Sequence, residues 1–124
     1  MSDDLTRLLY GLLHPAVESS HVHWSPPVDI YRTRDGWLVK FDLAGVQRSD
    51  LQVAVAGRHL SLRGRRRDWC VEQEAGCSAY SMEITYSEFQ RTIELPDEIE
   101  RMRVTTDYRD GMLLVQLVAQ KESR

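Results

Sequence analysis

From Val28 to Val118 the chain is a succession of short segments in which apolar and polar residues alternate. Between Trp37 and Leu43, for example, every second residue is a large apolar one. A period of two places one set of side chains on one face of a β-strand. Because no long helical pattern separates these segments, the sequence predicts an all-β fold, an immunoglobulin-like antiparallel β-sandwich.

Turn residues separate the predicted strands. The sharpest example is Asp110-Gly111, which favours a two-residue hairpin because such a turn needs positive φ angles. Behind this turn, Leu113, Val115 and Leu117 alternate toward one face. The other strands are expected around residues 28–30, 37–43, 51–55, 60–62 and 89–95.

The first residues follow a different period. An apolar stripe typical of one helix face is predicted from the leucines at i, i+3, i+4, i+7 and i+8, namely Leu5, Leu8, Leu9, Leu12 and Leu13. Pro15 should end this helix, and a Pro-containing linker follows it. So short a helix is marginal in water. Its stripe should therefore lie on its own domain, another subunit, a client protein or a lipid surface.

Three regions result from these patterns. They are an N-terminal arm (1–27) made of a short helix and a linker, one domain (28–118), and a short C-terminal tail (119–124). A chain of 124 residues is long enough for a single domain with its own core.

Residues 66–87 form a gap without a strand pattern, longer than most loops of compact domains. Apolar groups crowd this gap: Trp69, Cys70, Val71, Tyr80, Met82 and Tyr86. One interpretation is that the loop adds a strand to the sheet edge of a neighbouring subunit, which would bury both. The alternative is a long hairpin folded back on its own domain.

Composition and motifs narrow the function classes. A net charge of −3 does not favour a nucleic-acid binder, and the basic run at residues 63–67 reads as a solvated strand end. Neither a membrane span nor a secretory signal is evident, so we expect a cytoplasmic protein. Neither an ATP-binding loop nor a nucleophile elbow occurs, so no catalytic residue and no cofactor are predicted.

Two residue types still invite a functional interpretation. Cys70 and Cys77 both fall in the long loop, where two reduced thiols are the default and a reversible disulfide is the alternative. His21 and His23 share one side of an extended segment, but no cysteine or acidic ligand is near them. The sequence therefore predicts no metal site.

Five pieces of the chain, in order, resemble the small heat-shock proteins, the α-crystallin domain family. The strongest is Tyr108-Arg-Asp-Gly-Met-Leu-Leu-Val115, which is similar to the larger part of the family signature Ala-x-Tyr-x-Asp-Gly-Val-Leu-x-Val/Ile. The other four are Pro27-Val-Asp-Ile-Tyr31, Asp42-Leu-Ala-Gly45 with Ser49-Asp-Leu51, Leu60-Ser-Leu-Arg-Gly64, and Tyr86-Ser-Glu-Phe-Gln-Arg-Thr-Ile-Glu-Leu-Pro96.

The resemblance implies an ATP-independent chaperone that holds unfolding proteins, and a homodimer formed by strand exchange through the long loop. It places Arg91 at the dimer interface beside acidic groups, together with the loop residues Trp69, Tyr80, Met82 and Tyr86. The alternative for Arg91 is a side chain that reaches water at the rim of the sheet. Client contact is expected first at the leucine stripe and second at a groove lined by Leu51, Val53, Val55, Val104 and Thr106.

Departures from the family pattern modify these expectations. Ser87 stands where the family usually has glycine, and Thr105 or Thr106 replaces the alanine of the signature. Residues 118–124 contain no Ile-x-Ile motif, which in larger family members docks in the groove. We therefore expect a dimer or a modest assembly, in which the groove accepts a client or the tail of a longer relative.

Two other functions remain open from the sequence. One is a co-chaperone or adaptor of the related CS-domain type, but such modules generally lack a long exchange loop. The other is a membrane-surface protein that lays the N-terminal helix on lipid. Helices of that kind usually carry lysine or arginine on the polar face, and this helix offers Arg7 beside Asp3 and Asp4.

Overall fold

The computed structural model describes residues 24–68 and 76–120, which form two antiparallel sheets. The strands are β1 (Val28–Thr33), β2 (Gly36–Asp42), β3 (Leu51–Ala56), β4 (His59–Arg65), β5 (Glu88–Glu94), β6 (Arg103–Arg109) and β7 (Met112–Val118). A 3-10 turn, Arg48–Asp50, precedes β3. The predicted all-β sandwich is confirmed.

Strand order differs from chain order in one of the sheets. The first sheet runs β1-β2-β7-β6, and the second runs β3-β4-β5. Phe41 on β2 lies opposite Val28 on β1 and Leu113 on β7, so apolar residues of three strands meet in one row. This register directs the alternating apolar residues of the first sheet toward the second.

The core lies between the sheets and consists of the residues that alternate in sequence. Val39, Phe41 and Val115 are fully buried, and the expected faces of β2 and β7 are both confirmed. From the second sheet, Leu60, Leu62 and other apolar side chains complete the same cluster. Full burial of one such side chain contributes about 1.5–3 kcal/mol to the free energy of unfolding.

The hairpin between β6 and β7 turns at Asp110 (φ 54°) and Gly111 (φ 77°). Two consecutive positive φ angles are the signature of a type I′ turn, whose twist matches the two strands. The Gly111 carbonyl also accepts a hydrogen bond from the Leu43 amide at 2.6 Å. The predicted turn is therefore confirmed, and it holds the end of β2 in place.

Several predictions concern residues outside the described ranges. These are the N-terminal helix with its leucine stripe, the loop residues Trp69 and Cys70, and the last residues of the tail. Within the described ranges, no helix is both long and apolar enough to cross a bilayer.

Each sheet ends in strands that have a hydrogen-bonded neighbour on one side within the described residues. In the first sheet these are β1 and β6, and in the second they are β3 and β5. Unpaired edges offer backbone donors and acceptors to another chain. The edge of β1 and the surface between β3 and β6 are therefore candidate binding surfaces.

Candidate functional site

A groove of about 420 Å³ lies between the edge strands β3 and β6. Its walls are the five residues predicted from the sequence, Leu51, Val53, Val55, Val104 and Thr106, together with Arg48, Tyr108 and Leu113. The β3 residues alternate with exposed ones, so the half-buried members point inward. The structure therefore brings all five predicted groove residues together, and Tyr108 joins them from the strand that was predicted to form one wall. Two lining residues, Arg48 and Leu113, were missed by the sequence reasoning.

The groove exists because the inward face of β3 and β6 is apolar but is left partly uncovered at the sandwich edge. Val104 keeps 37% of its surface exposed, although it lies opposite the fully buried Leu117. The wall is apolar, and Arg48 is its one charged lining residue in the described part of the chain. An extended apolar segment fits such a site by its side chains and by the unpaired strand edges.

Tyr108 forms the inner end of the groove and anchors it to the turn after β2. Its hydroxyl donates to the carbonyl oxygen of Leu43 at 3.0 Å and also lies in hydrogen-bonding distance of the Val46 carbonyl. Burial, and secondarily the nearby carboxylate of Asp42, raises the pKa of Tyr108 above its ordinary value of 10.0. Both effects disfavour the phenolate, which could no longer donate to either carbonyl.

Replacing Tyr108 with phenylalanine is expected to lower the free energy of unfolding by about 1–2 kcal/mol near neutral pH, because the Leu43 and Val46 carbonyls lose the one hydroxyl proton that they share. Because the pKa of Tyr108 is raised in the native state, its neutral hydroxyl contributes its full stabilisation below the unfolded pKa of about 10. This contribution is lost as the pH rises through the higher native pKa. Urea unfolding of both proteins between about pH 7 and pH 11 would measure it. The prediction is wrong if the difference stays constant across that range.

The described part of the long loop exposes a regular row of apolar side chains. Tyr80 (102% exposed), Met82 (56%), Ile84 (60%) and Tyr86 (37%) recur at every second residue. Residues 76–87 form no strand in the described structure. The row therefore has the two-residue period of a strand but no strand paired with it there. The sequence reasoning named three of the four and missed Ile84, although the same alternation marks it.

The outer strand of the first sheet, β1, also exposes apolar surface. Ile30 keeps 42% of its surface exposed and Tyr31 keeps 45%, on opposite faces of the strand. Lys40 from β2 lies over the Tyr31 ring, 5.4 Å from its centroid. An unpaired edge flanked by exposed apolar groups is the usual acceptor for an added strand.

Arg91 lies on the inward face of β5 and is half-buried. Its Nη1 donates to the Pro26 carbonyl at 2.9 Å, and it lies 3.5 Å from the Ser25 hydroxyl. Among the ion pairs of the described residues, none involves Arg91. Within one subunit Nη1 of the guanidinium is therefore bound by a backbone carbonyl, and the predicted acidic partners would come from elsewhere.

The remaining candidates fall in separate places. Cys77 is exposed in the loop, whereas Cys70 lies outside the described residues, so their pairing stays untested. His59 lies 3.3 Å from the carboxylate of Glu94, on the far side of β4 from the core. In the ranges 24–68 and 76–120, no three metal-ligating side chains come together.

Comparison with known proteins gives consistent results. Residues 29–124 match the model of the Hsp20/alpha crystallin family. Spore protein SP21 of Stigmatella aurantiaca is 27% identical over 97 residues, which is 78% of this chain and 56% of that protein. The chain thus spans little more than half the length of this relative. The 18 kDa antigen 2 of Mycobacterium avium is 30% identical over 120 residues, 96% of this chain and 78% of its own length.

A solved structure shows the same fold. Heat shock protein 16.0 from Schizosaccharomyces pombe superimposes with a TM-score of 0.70 at 24% identity. The superposition covers 82% of this chain and 96% of that structure. At this level of identity the likeness concerns the fold alone, and the family match carries the relationship.

Proposed function

Because the chain belongs to the Hsp20/alpha crystallin family, the family of the small heat shock proteins, we propose that it is an ATP-independent holdase. It binds apolar segments of unfolding proteins and keeps them from aggregating. The proposal requires no catalytic residue, cofactor or metal. Its partners are unfolded client proteins and further copies of the same chain.

The apolar groove between β3 and β6 is the observation that carries the proposal. It combines an extended apolar wall with two strand edges that have no neighbour on that side in the described structure. Such a site recognises apolar segments of many sequences, because main-chain hydrogen bonds supply affinity and shallow side-chain contacts tolerate variation. Breadth of this kind is what a holdase needs.

Holding works by mass action. A surface present at 100 times its dissociation constant shifts the folding equilibrium of a client by about 2.7 kcal/mol toward the bound, unfolded state. No nucleotide is consumed in such a step, since binding alone provides the free energy. The bound segments are also withdrawn from the pool that aggregates.

Assembly by strand exchange is the second part of the proposal. In each subunit the loop segment that carries Tyr80, Met82, Ile84 and Tyr86 pairs with the β1 edge of the other subunit. The exchange is therefore reciprocal. Support comes from the strand-like alternation of the exposed row and from the exposed Ile30 and Tyr31 on β1. Pairing would cover both the apolar row and the unpaired edge.

Replacing Val104 with glutamate is expected to reduce client holding at least about tenfold. The change puts a carboxylate in the groove wall, and a desolvated charge costs more than the ~1.4 kcal/mol that corresponds to tenfold weaker binding. Light scattering from a heat-unfolding test protein, titrated with the chain in the absence of ATP, measures the effect. Wild-type chain should suppress scattering at a much lower ratio than the variant.

The matched control is Thr105→Glu, which adds the same charge one residue away. Thr105 is exposed and points to the opposite face, where its hydroxyl contacts the Gln116 side chain at 3.3 Å. This variant should hold clients like the wild type. Equal loss in both variants would refute the groove as the contact site, and failure of the wild type at several-fold excess would refute the holdase itself and favour a partner-specific adaptor.

The leucine stripe of residues 5–13 stays a prediction for client contact, since it lies outside the described residues. A chain without residues 1–14 in the same assay tests it: loss of holding would place client contact, or the assembly that holding requires, in this arm. A lipid-surface role instead predicts vesicle binding that the same deletion removes. The proposal places the protein in the cytoplasm.

A further inference from the structure

Trp24 lies where the chain enters the sandwich, against both ends of the long loop 66–87. The Arg66 guanidinium stacks on the Trp24 ring, 3.8 Å from its centroid. The same ring meets Phe89 edge-on, with centroids 5.2 Å apart and planes at 84°. Since Arg66 directly follows β4 and Phe89 is near the start of β5, one indole contacts the chain on both sides of the loop.

Hydrogen bonds tie the same residues together. The Arg66 amide donates to the Ser87 carbonyl at 2.9 Å, and its Nε donates to the Thr85 carbonyl at 2.8 Å. The Trp24 amide donates to the Ser87 hydroxyl at 3.2 Å. The two ends of the loop are thus held to each other, and the segment that precedes β1 is held to both.

Two further contacts stabilise this arrangement. The Pro26 carbonyl accepts from Arg91 at 2.9 Å, which holds the segment after Trp24 against β5. The Ser87 hydroxyl makes a contact that glycine at this position could not make. Because a partly buried cation–π pair is stronger than an exposed one, the stack of Arg66 on Trp24 adds to these hydrogen bonds.

We infer that Trp24, Arg66 and Ser87 form a clamp that sets the direction in which loop 66–87 leaves the sandwich and couples it to the position of the N-terminal arm. Arg66 and Trp24 are positioning residues, because they orient the loop that carries the row from Tyr80 to Tyr86. The functional consequence rests on the proposed strand exchange: displacing Trp24 loosens the loop, and subunits exchange faster.

Hydrogen–deuterium exchange on the full chain tests the clamp directly. Arg66→Met removes the guanidinium, and Trp24→Leu removes the ring but keeps an apolar side chain. Both should speed exchange of the Trp24 and Ser25 amides and of the amides at residues 85–88 together by about three- to tenfold, the range that a cation–π contact supplies. The control Arg63→Met removes an exposed arginine of β4 that lies opposite Gln90, outside both measured segments, and should leave them unchanged.

The core strands serve as an internal reference. If amides of β2 and β7 accelerate as much as the loop ends, the variants unfold globally and the clamp is overturned. It is also overturned if Arg66→Met alters residues 85–88 while the Trp24 and Ser25 amides keep the wild-type rate, because the two segments would then be uncoupled.

Native mass spectrometry of mixed ¹⁴N and ¹⁵N chains tests the functional consequence. Arg66→Met should form mixed dimers at least about threefold faster than the wild type and the control Arg63→Met. Unchanged mixing together with faster amide exchange would overturn the link to subunit exchange. If the wild type forms no dimer, the proposed strand exchange fails, whereas the amide exchange still decides whether the clamp couples the arm to the loop.

Discussion

Replacing Gly36 with alanine is expected to lower the free energy of unfolding by about 3 kcal/mol or more, one of the larger effects for a single methyl group. Gly36 begins β2 and lies opposite Val118 on β7. A Cβ atom there would stand 1.8 Å from the Leu117 carbonyl oxygen and 2.9 Å from its carbon. These are backbone atoms of a central strand, so relief requires β2 and β7 to separate locally.

The separation would reach the core, since Leu117 and its pairing partner Trp37 are both buried. Thermal unfolding should show a midpoint lower by about 10 °C or more, since 1 kcal/mol corresponds to about 4 °C in a domain of this size. Urea unfolding should show a lower midpoint with an unchanged slope, which indicates lost stability without a change in the denatured state.

Gly57→Asn is the matched control. Gly57 has a φ of 61° in the turn between β3 and β4, and an added Cβ would meet no atom within 4 Å. Asparagine tolerates this left-handed conformation better than other side chains, so the cost should stay within about 1 kcal/mol. Similar stability of Gly36→Ala and Gly57→Asn would contradict the close approach of β7 to Gly36.

Replacing Ile84 with glutamate is expected to convert the proposed dimer into monomers. In a strand-exchanged dimer each loop contributes one Ile84, so the substitution places two carboxylates in apolar contacts. If each costs about 2 kcal/mol, the dissociation constant rises about 1,000-fold. Sedimentation equilibrium across a range of chain concentrations measures this change directly.

Glu83→Lys is the control for the loop. It changes charge at the neighbouring residue, which is exposed and out of phase with the apolar row. This variant should keep the dimer. At concentrations low enough for every chain to be monomeric, both variants should unfold at the wild-type midpoint, because residues 83 and 84 are exposed and lie outside the buried core. A dimer that survives Ile84→Glu would show that loop 66–87 does not carry the interface and would favour the folded-back hairpin.

Comparing the Ile84 and Val104 variants separates assembly from client contact. Ile84 lies in the exposed loop, whereas Val104 lies in the groove wall at the opposite edge of the first sheet from β1. A monomer that still holds clients would place holding in the groove of a single subunit. If Val104→Glu still forms dimers but no longer holds clients, assembly alone is not sufficient for holding.

The buried faces of the central strands β2 and β7 could be predicted because apolar and polar residues alternate within each of them. A residue such as Phe41 or Val115 is apolar because one face of its strand is excluded from water, and the alternation of neighbours reports this face locally. The Asp110-Gly111 turn could be predicted for a similar reason, because its positive φ angles depend on the two residues at the turn itself.

Two residues of the candidate surfaces were predicted incompletely from the sequence. Ile84 continues the row of Tyr80, Met82 and Tyr86 at the same two-residue period, so the sequence carried the signal, and the structure added that all four side chains are exposed. Leu113 was assigned to the core face of β7 and also lines the groove, because the uncovered edge beside β6 makes it accessible from that side.

The sequence alone determined the all-β class, the inward faces, the closing hairpin and the family of this protein, because these depend on periodicity and on short motifs. Only the tertiary structure decided which strands share a sheet, that β3 and β6 leave a groove between their edges, and that Trp24 meets Arg66 and Ser87. Backbone hydrogen bonds are chemically alike in every strand, so pairing follows from how all the buried faces pack together. Contacts between residues far apart in the chain are products of that packing and leave no periodic signal in the sequence.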